Sequence, residues 1–428
     1  MLRVRWTWIV LTACLSACAP LGAQNPITTQ GFGLTPAGNP ATPATSAFSS
    51  AGRTLSIWIP PQFSPDGPGE AASLLADRLR GFEASHPGVR IEVRVKGRSG
   101  PASLTEALAS ASQAAPSILP DLVAMDGTEL ALALERQLVH VWEELGTAPE
   151  TWGWIAPILD GARSQGKLAG LPFAAEADVF AFQPQAYSSP PHTWADLLTG
   201  SGSFLFPAGD PRSAFTLAQY LSVGGTLREA GGSPALDAEL LQDVLAFYAA
   251  ARAGGLLPLS ARQHENSSMT AEALSSGQVG AAVVPLSQIA DLESLESGEI
   301  QILGPWPTRD GRGTCFVNSW SWAVVARPAP PEPLSIELAT WLARPEFTGP
   351  WSHALSLLPA TSSALADWPT DATRTLAETL GTTCLPLPAP EDLALFGPVL
   401  RDAAGATLTG ELAPEVAAAL ASATVSGP

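Results

Sequence analysis

Residues 54–59 alternate Leu55, Ile57 and Ile59 with Thr54, Ser56 and Trp58, the two-residue period of a β-strand. A turn follows at Ser64-Pro65-Asp66-Gly67-Pro68. The spacing then changes: Ala71, Leu75, Leu79 and Phe82 recur every three or four positions and predict a helix. His86-Pro87-Gly88 stops it, because proline disfavours helical geometry in the residue before it. Val89, Ile91, Val93 and Val95 alternate with Arg90, Glu92, Arg94 and Lys96 as a second strand. A helix over about Ser103 to Gln113, a third strand over Asp121 to Met125 and a helix through Leu130 and Leu134 continue the series. This β-α-β-α-β order predicts an α/β fold with right-handed crossovers and a parallel sheet flanked by helices. Ligands of such sheets sit beyond the carboxyl ends of the strands. Residues 58–63, 97–100 and 126–128 are therefore the positions to watch.

The chain has 428 residues, and its first fifty read differently from the rest. Arg3 and Arg5 precede an apolar run from Trp6 to Ala17 that is too short to span a bilayer and ends in Leu15-Ser16-Ala17-Cys18. This segment resembles a bacterial lipoprotein signal, and the resemblance implies cleavage before Cys18 and acylation of its thiol and new amine. An ordinary secretory signal cut near Ala23 is the alternative; both export the chain. Residues 19–50, poor in charge and rich in Thr, Pro, Gly, Ala and Ser, cannot bury enough surface to offset ordering entropy and read as a flexible tether. The later apolar stretches, such as Gly280 to Leu286 and Trp320 to Ala326, are strand-sized.

About 380 residues follow the tether, more than one core usually organises, so two domains are expected. With 40 acids against 22 bases, the net charge of −18 argues against nucleic acid and anionic lipid headgroups as partners. Cys315 and Cys384 alone survive maturation; they form either a disulfide or two buried thiols. Neither has a His or Cys at metal-ligand spacing, and no metal or cofactor is expected.

Successive segments then point to a family. Phe82-Glu-Ala-Ser-His-Pro-Gly-Val, Pro120-Asp-Leu-Val, Gly166-Lys-Leu-Ala-Gly-Leu-Pro172, Pro190-Pro-His-Thr-Trp194-Ala-Asp-Leu and Ser276-Gly-Gln-Val-Gly280-Ala-Ala occur in this order. They resemble landmarks of the extracellular solute-binding proteins that serve sugar ABC importers, of the type of maltose-binding protein. Ile302-Leu-Gly-Pro-Trp-Pro307, Ser356-Leu-Leu-Pro359 and Leu408-Thr-Gly-Glu-Leu-Ala-Pro-Glu-Val-Ala extend the resemblance to the end of the chain. It implies a periplasmic-binding-protein-like fold: two lobes, each a sheet flanked by helices, joined by crossing segments. We place the crossings near Pro172 to Glu176, Val283 to Leu286 and Val325 to Pro328. Lobe 1 then comprises residues 51–174 and 283–327, and lobe 2 residues 175–282 and 328–428. The implied protein is a lipid-anchored monomer with no catalytic residues, which captures a carbohydrate by lobe closure and delivers it to ABC permease subunits.

A sugar offers hydroxyls for hydrogen bonds and C–H faces for aromatic rings, so its binder combines carboxylates or amides with flat aromatics. The chain has 13 Trp and 3 Tyr. Glu176, just after the first crossing, is the leading polar candidate on the resemblance; a capping role is its alternative. Asp126 follows the third strand and either meets hydroxyls or caps the next helix. Trp58 either reaches the cleft or packs on the second face of its strand. Asn318, Trp320 and Trp322 lie in the return segment, the two tryptophans on one strand face; Trp351 is a further candidate. Arg98 is read as a solvated side chain. Relatives often carry a Tyr-Asn pair where Phe180-Ala-Phe182-Gln183 stands here.

Two rival readings remain. An exported glycan-active enzyme would need two facing carboxylates, yet Gly-x-Ser-x-Gly, His-Glu-x-x-His and Walker motifs are missing. The other rival is a binding protein of the same fold for a non-sugar solute.

Overall fold

The computed structural model describes residues 52–98, 100, 103–293 and 300–427. The stretches read from the sequence as a signal with Cys18 and as a tether lie outside these residues.

The expected order at the start of the body is found: strand β1 (Arg53–Ile59), helix α1 (Glu70–Ser85), β2 (Val89–Val95), α2 (Leu104–Ala114), β3 (Leu122–Asp126) and α3 (Gly127–Glu135). Local chemistry sets the boundaries. α1 buries Leu75, Leu79 and Phe82, and beyond its end the His86 ring stacks on Phe82 at 4.1 Å. At α3, Asp126 and Glu129 form a capping box, which satisfies backbone donors that the first turn would otherwise leave free. β1 pairs in parallel with β2 on one side and β3 on the other. The outer strand, β2, is only partly buried and keeps the polar alternation of a sheet edge.

Four more strands build the rest of the principal path, β4 (Leu171–Phe182), β5 (Phe204–Leu205), β6 (Ala281–Pro285) and β8 (Phe316–Val324), while β7 (Gln301–Gly304) pairs off it. Two short strands, β9 (Leu358–Pro359) and β10 (Leu385–Pro386), complete a ten-stranded sheet. Its order is β2-β1-β3-β8-β4-β6-β5, with β7 and β9 on β4 and β10 on β8. β8 runs antiparallel to both β3 and β4, so the sheet is mixed rather than parallel throughout. Register shifts in the β8–β4 pair near Pro172, which has no N–H to give to the ladder.

Two hydrophobic cores lie along this one sheet. The first contains Leu55, Ile57, Leu122, Phe173, Trp322 and Leu342; the second contains Val179, Phe204, Tyr248, Val283, Phe316 and Leu400. The chain passes between them at Ala174 and Ala175, between Val317 and Trp320, and between Leu357 and Leu358. The expected crossings were near Pro172 to Glu176, Val283 to Leu286 and Val325 to Pro328. Val283, Val284 and Leu286 stay in the second core because β6 and then β7 both pair with the distal half of β4. The return is made inside β8, and residues up to Leu357 belong to the first half.

Cys315 and Cys384 are joined by a disulfide with Cα atoms 4.5 Å apart, settling the choice between bridge and free thiols. It ties the start of β8 to the residue preceding β10. Among the described residues no helix is long and apolar enough to cross a membrane.

Candidate functional site

A cavity of about 400 Å³ opens where the two cores meet. The first half contributes Gln62, Arg98, Trp320, Leu355 and Leu357. The second contributes Asp178, Arg212, Ser267 and Trp306, and the junction itself supplies Glu176 and Asn318.

Glu176 and Asp178 are two residues apart on β4, so both side chains leave the same face of the strand. Glu176 Oε1 accepts from the backbone N–H of Ser287 and of Ala177, each at 3.2 Å. The Ser267 hydroxyl donates to Asp178 Oδ1 at 2.6 Å. Burial pushes the Glu176 carboxyl up to about 7; bonds from Ser287 oppose the shift and the neighbouring Asp178 charge adds to it. Burial also raises Asp178, opposed by the Ser267 hydroxyl and the Arg212 charge.

A carboxyl whose folded value is raised holds its proton more tightly when folded, so its stabilising contribution is full below the unfolded value and is lost as pH rises through the folded one. For Glu176 that window runs from its ordinary 4.5 to about 7. Thermal melting of the unliganded protein should therefore fall across this range by the equivalent of about 2–3 kcal/mol. Glu176→Gln should flatten the fall, and a variant profile superimposing on the wild type would remove Glu176 as its source. Glu129, raised to about 7 chiefly by burial, acts in the same direction and should leave a residual slope.

Two guanidiniums reach the cavity, each held by a carboxylate behind it. Arg98 Nη2 lies 3.0 Å from Asp126 Oδ2, while Asp126 Oδ1 accepts from the Glu129 backbone N–H at 2.9 Å. Asp126 is thus occupied on both oxygens and lies behind the lining, in the helix-capping alternative of its two expected roles; it positions Arg98. Arg98 in turn lies over the Trp320 ring, 5.0 Å from the centroid. It is therefore part of the cavity wall while about half of its side chain stays exposed to solvent, as expected. Arg212 donates from both its backbone N–H and Nε to Asp210 Oδ1, at 3.0 and 3.3 Å.

Asn318 lines the cavity, and its Oδ1 accepts from the Gly127 backbone N–H at 3.1 Å, leaving the side-chain amide free to donate. Glycine is needed there: a Cβ on Gly127 would lie 2.6 Å from the Gly161 carbonyl oxygen. Trp320 also lines the cavity although only 3% exposed, with Phe63 edge-on at 4.9 Å.

Trp58, Trp322 and Trp351 are not among the residues lining the cavity, and Trp58 takes the second-face alternative of its two expected placements. Trp58 packs on the second face of β1 in the first core, with the Lys96 ammonium 4.2 Å above its ring. Trp322 stacks on Phe173, and Trp351 lies against Phe347. The sequence reading missed Asp178, Arg212, Ser267 and Trp306. Asp178 carried a signal, its two-residue offset from Glu176 on an extended run. The other three come from separate segments that only the tertiary fold assembles.

No group of three or more potential metal ligands occurs among the described residues. The profile of the bacterial extracellular solute-binding proteins matches residues 78–376. No curated protein matches the chain in sequence. Solved structures do. The GacH receptor of Streptomyces glaucescens, seen unliganded and with acarbose, is 18% identical over 86% of this chain and 96% of its own, with a TM-score of 0.66. The cyclic alpha-maltosyl-1,6-maltose binding protein from Arthrobacter globiformis is 16% identical over 87% and 98%, with a TM-score of 0.70. The maltose/maltodextrin-binding domain MalE from Bdellovibrio bacteriovorus, bound to maltotriose, is 17% identical over 87% and 98%, with a TM-score of 0.62. At these identities the likeness is one of fold. The profile spans the landmarks from Phe82 to Pro359, and by it the chain belongs to the bacterial extracellular solute-binding proteins, acting outside the cytoplasm by binding a solute rather than transforming it.

Proposed function

We propose that this protein captures a carbohydrate in the cavity between its two halves and delivers it to the permease of an ABC importer, held at the membrane by a lipid on Cys18. The observation that carries the reading is the composition of the cavity. Its wall combines carboxylates, guanidiniums and a free amide with Trp320 and Trp306, the mixture that hydroxyls and C–H faces require. The fold neighbours bind acarbose and maltooligosaccharides, which adds support of the same kind.

Capture works by closure. Residues from both halves line the cavity, so a ligand touching both favours the state in which they approach, and the closed population rises with occupancy. The closed monomer then docks on the permease. A thermal-shift screen of mono- and oligosaccharides tests the reading: a bound sugar at 100 times its Kd should stabilise the protein by about 2.7 kcal/mol. Trp fluorescence should respond in parallel, since Trp320 and Trp306 line the cavity. A silent sugar panel beside a response to a peptide or polyamine would remove carbohydrate from the proposal.

A further inference from the structure

We infer that the cavity selects a sugar bearing a protonated amine, seated between Glu176 and Asp178. This rests on the carbohydrate reading and narrows it.

The inference follows from which charges in the cavity are already matched. Four carboxylates stand at or directly behind its wall, against two guanidiniums. Arg98 belongs to Asp126 and Arg212 to Asp210, each at salt-bridge distance. Glu176 and Asp178 have no salt-bridge partner among the described residues; Arg212 influences Asp178 only from farther away. Their protein donors are neutral: the Ser267 hydroxyl on Asp178 Oδ1, and for Glu176 the Ser287 side chain together with the backbone N–H groups of Ser287 and Ala177 on Oε1. Glu176 and Asp178 thus stand on one face of β4 with neutral donors and no cation at salt-bridge distance, in a partly buried setting where unmatched charge is costly.

An ammonium group offers three donors and a positive charge, and so suits two neighbouring carboxylates. An acidic sugar fits less well: both arginines are already engaged, and an added carboxylate would lie near two uncompensated ones. A simple polyamine fits less well too, because Asn318, Ser268, Gln288 and Gln62 provide uncharged polar groups suited to hydroxyls.

Titration calorimetry near neutral pH with matched pairs tests this: glucosamine against glucose, galactosamine against galactose, and fully deacetylated chitobiose against cellobiose. The partners in each pair differ only where amine replaces hydroxyl. In at least one pair the amine should bind about tenfold tighter or more, as charge-assisted hydrogen bonds allow. Glu176→Gln and Asp178→Asn should each erase that preference while retaining a cooperative melting transition. Should a variant fail to fold, the wild-type comparison alone still decides.

Binding of neutral sugars with no preference for the amine in any pair would overturn the inference and leave the carbohydrate reading standing. Binding of spermidine or putrescine without any sugar would overturn both, as would silence throughout.

Discussion

Trp322→Ala should destabilise the protein by about 3–5 kcal/mol, the range for removing a large aromatic side chain from a close-packed core. Trp322 is fully buried, stacks on Phe173 at 4.9 Å and runs parallel to Trp351 at 6.3 Å. Alanine leaves a void flanked by rings fixed in the sheet and in the helix Pro345–Ala354, which cannot readily collapse into it. Trp320→Ala, two residues earlier on the same strand face, should behave differently. It also removes buried surface, but Trp320 lines the cavity and supports the Arg98 guanidinium. Ligand affinity should therefore fall about tenfold or more with Trp320→Ala and stay within about threefold with Trp322→Ala, provided both are titrated where they are fully folded. Urea unfolding gives the stability and calorimetry the affinity. Equal effects of the two variants on affinity would contradict the placement of Trp320 alone at the site.

The second large effect is expected from the disulfide. Replacing Cys315 and Cys384 by serine together frees a loop closed over a sequence separation of 69. In the chain-entropy model the loss is about 4 kcal/mol. The bridge also joins the segments bearing Phe316 and Leu387, both of which line the cavity. Reduction should thus weaken ligand binding as well as lower the melting temperature. Melting curves with and without reductant check this; identical curves, with free thiols verified chemically, would show that the bridge contributes little.

The opening β-α-β-α-β unit was legible because its signals are local. Period-two runs at Leu55–Ile59 and Val89–Val95, helical spacing through Phe82 and the possible cap at Asp126 each lie within one segment. The family landmarks were legible for the same reason. The second and third passages between halves were not. Gly280–Leu286 and Trp320–Ala326 both read as buried strands, and nothing in either indicates whether its hydrogen-bond partner is the proximal or the distal part of β4. That choice belongs to long-range pairing. The aromatic candidates divided for a related reason: alternation assigns Trp320 and Trp322 to one face, but only the position of the cavity along the strand separates wall from core.

β4 is one unbroken ladder member, and it gives backbone partners to β8 and β9 at one end and to β6 and β7 at the other. The halves are therefore not modules strung on a linker. Severing the chain at Ala174 would leave raw strand edges on both fragments, each a template for aggregation. Any opening or closing must be absorbed as twist within strands that stay paired, which makes the motion a torsion of shared sheet, while evolutionary exchange of one half alone would have to preserve the whole seam.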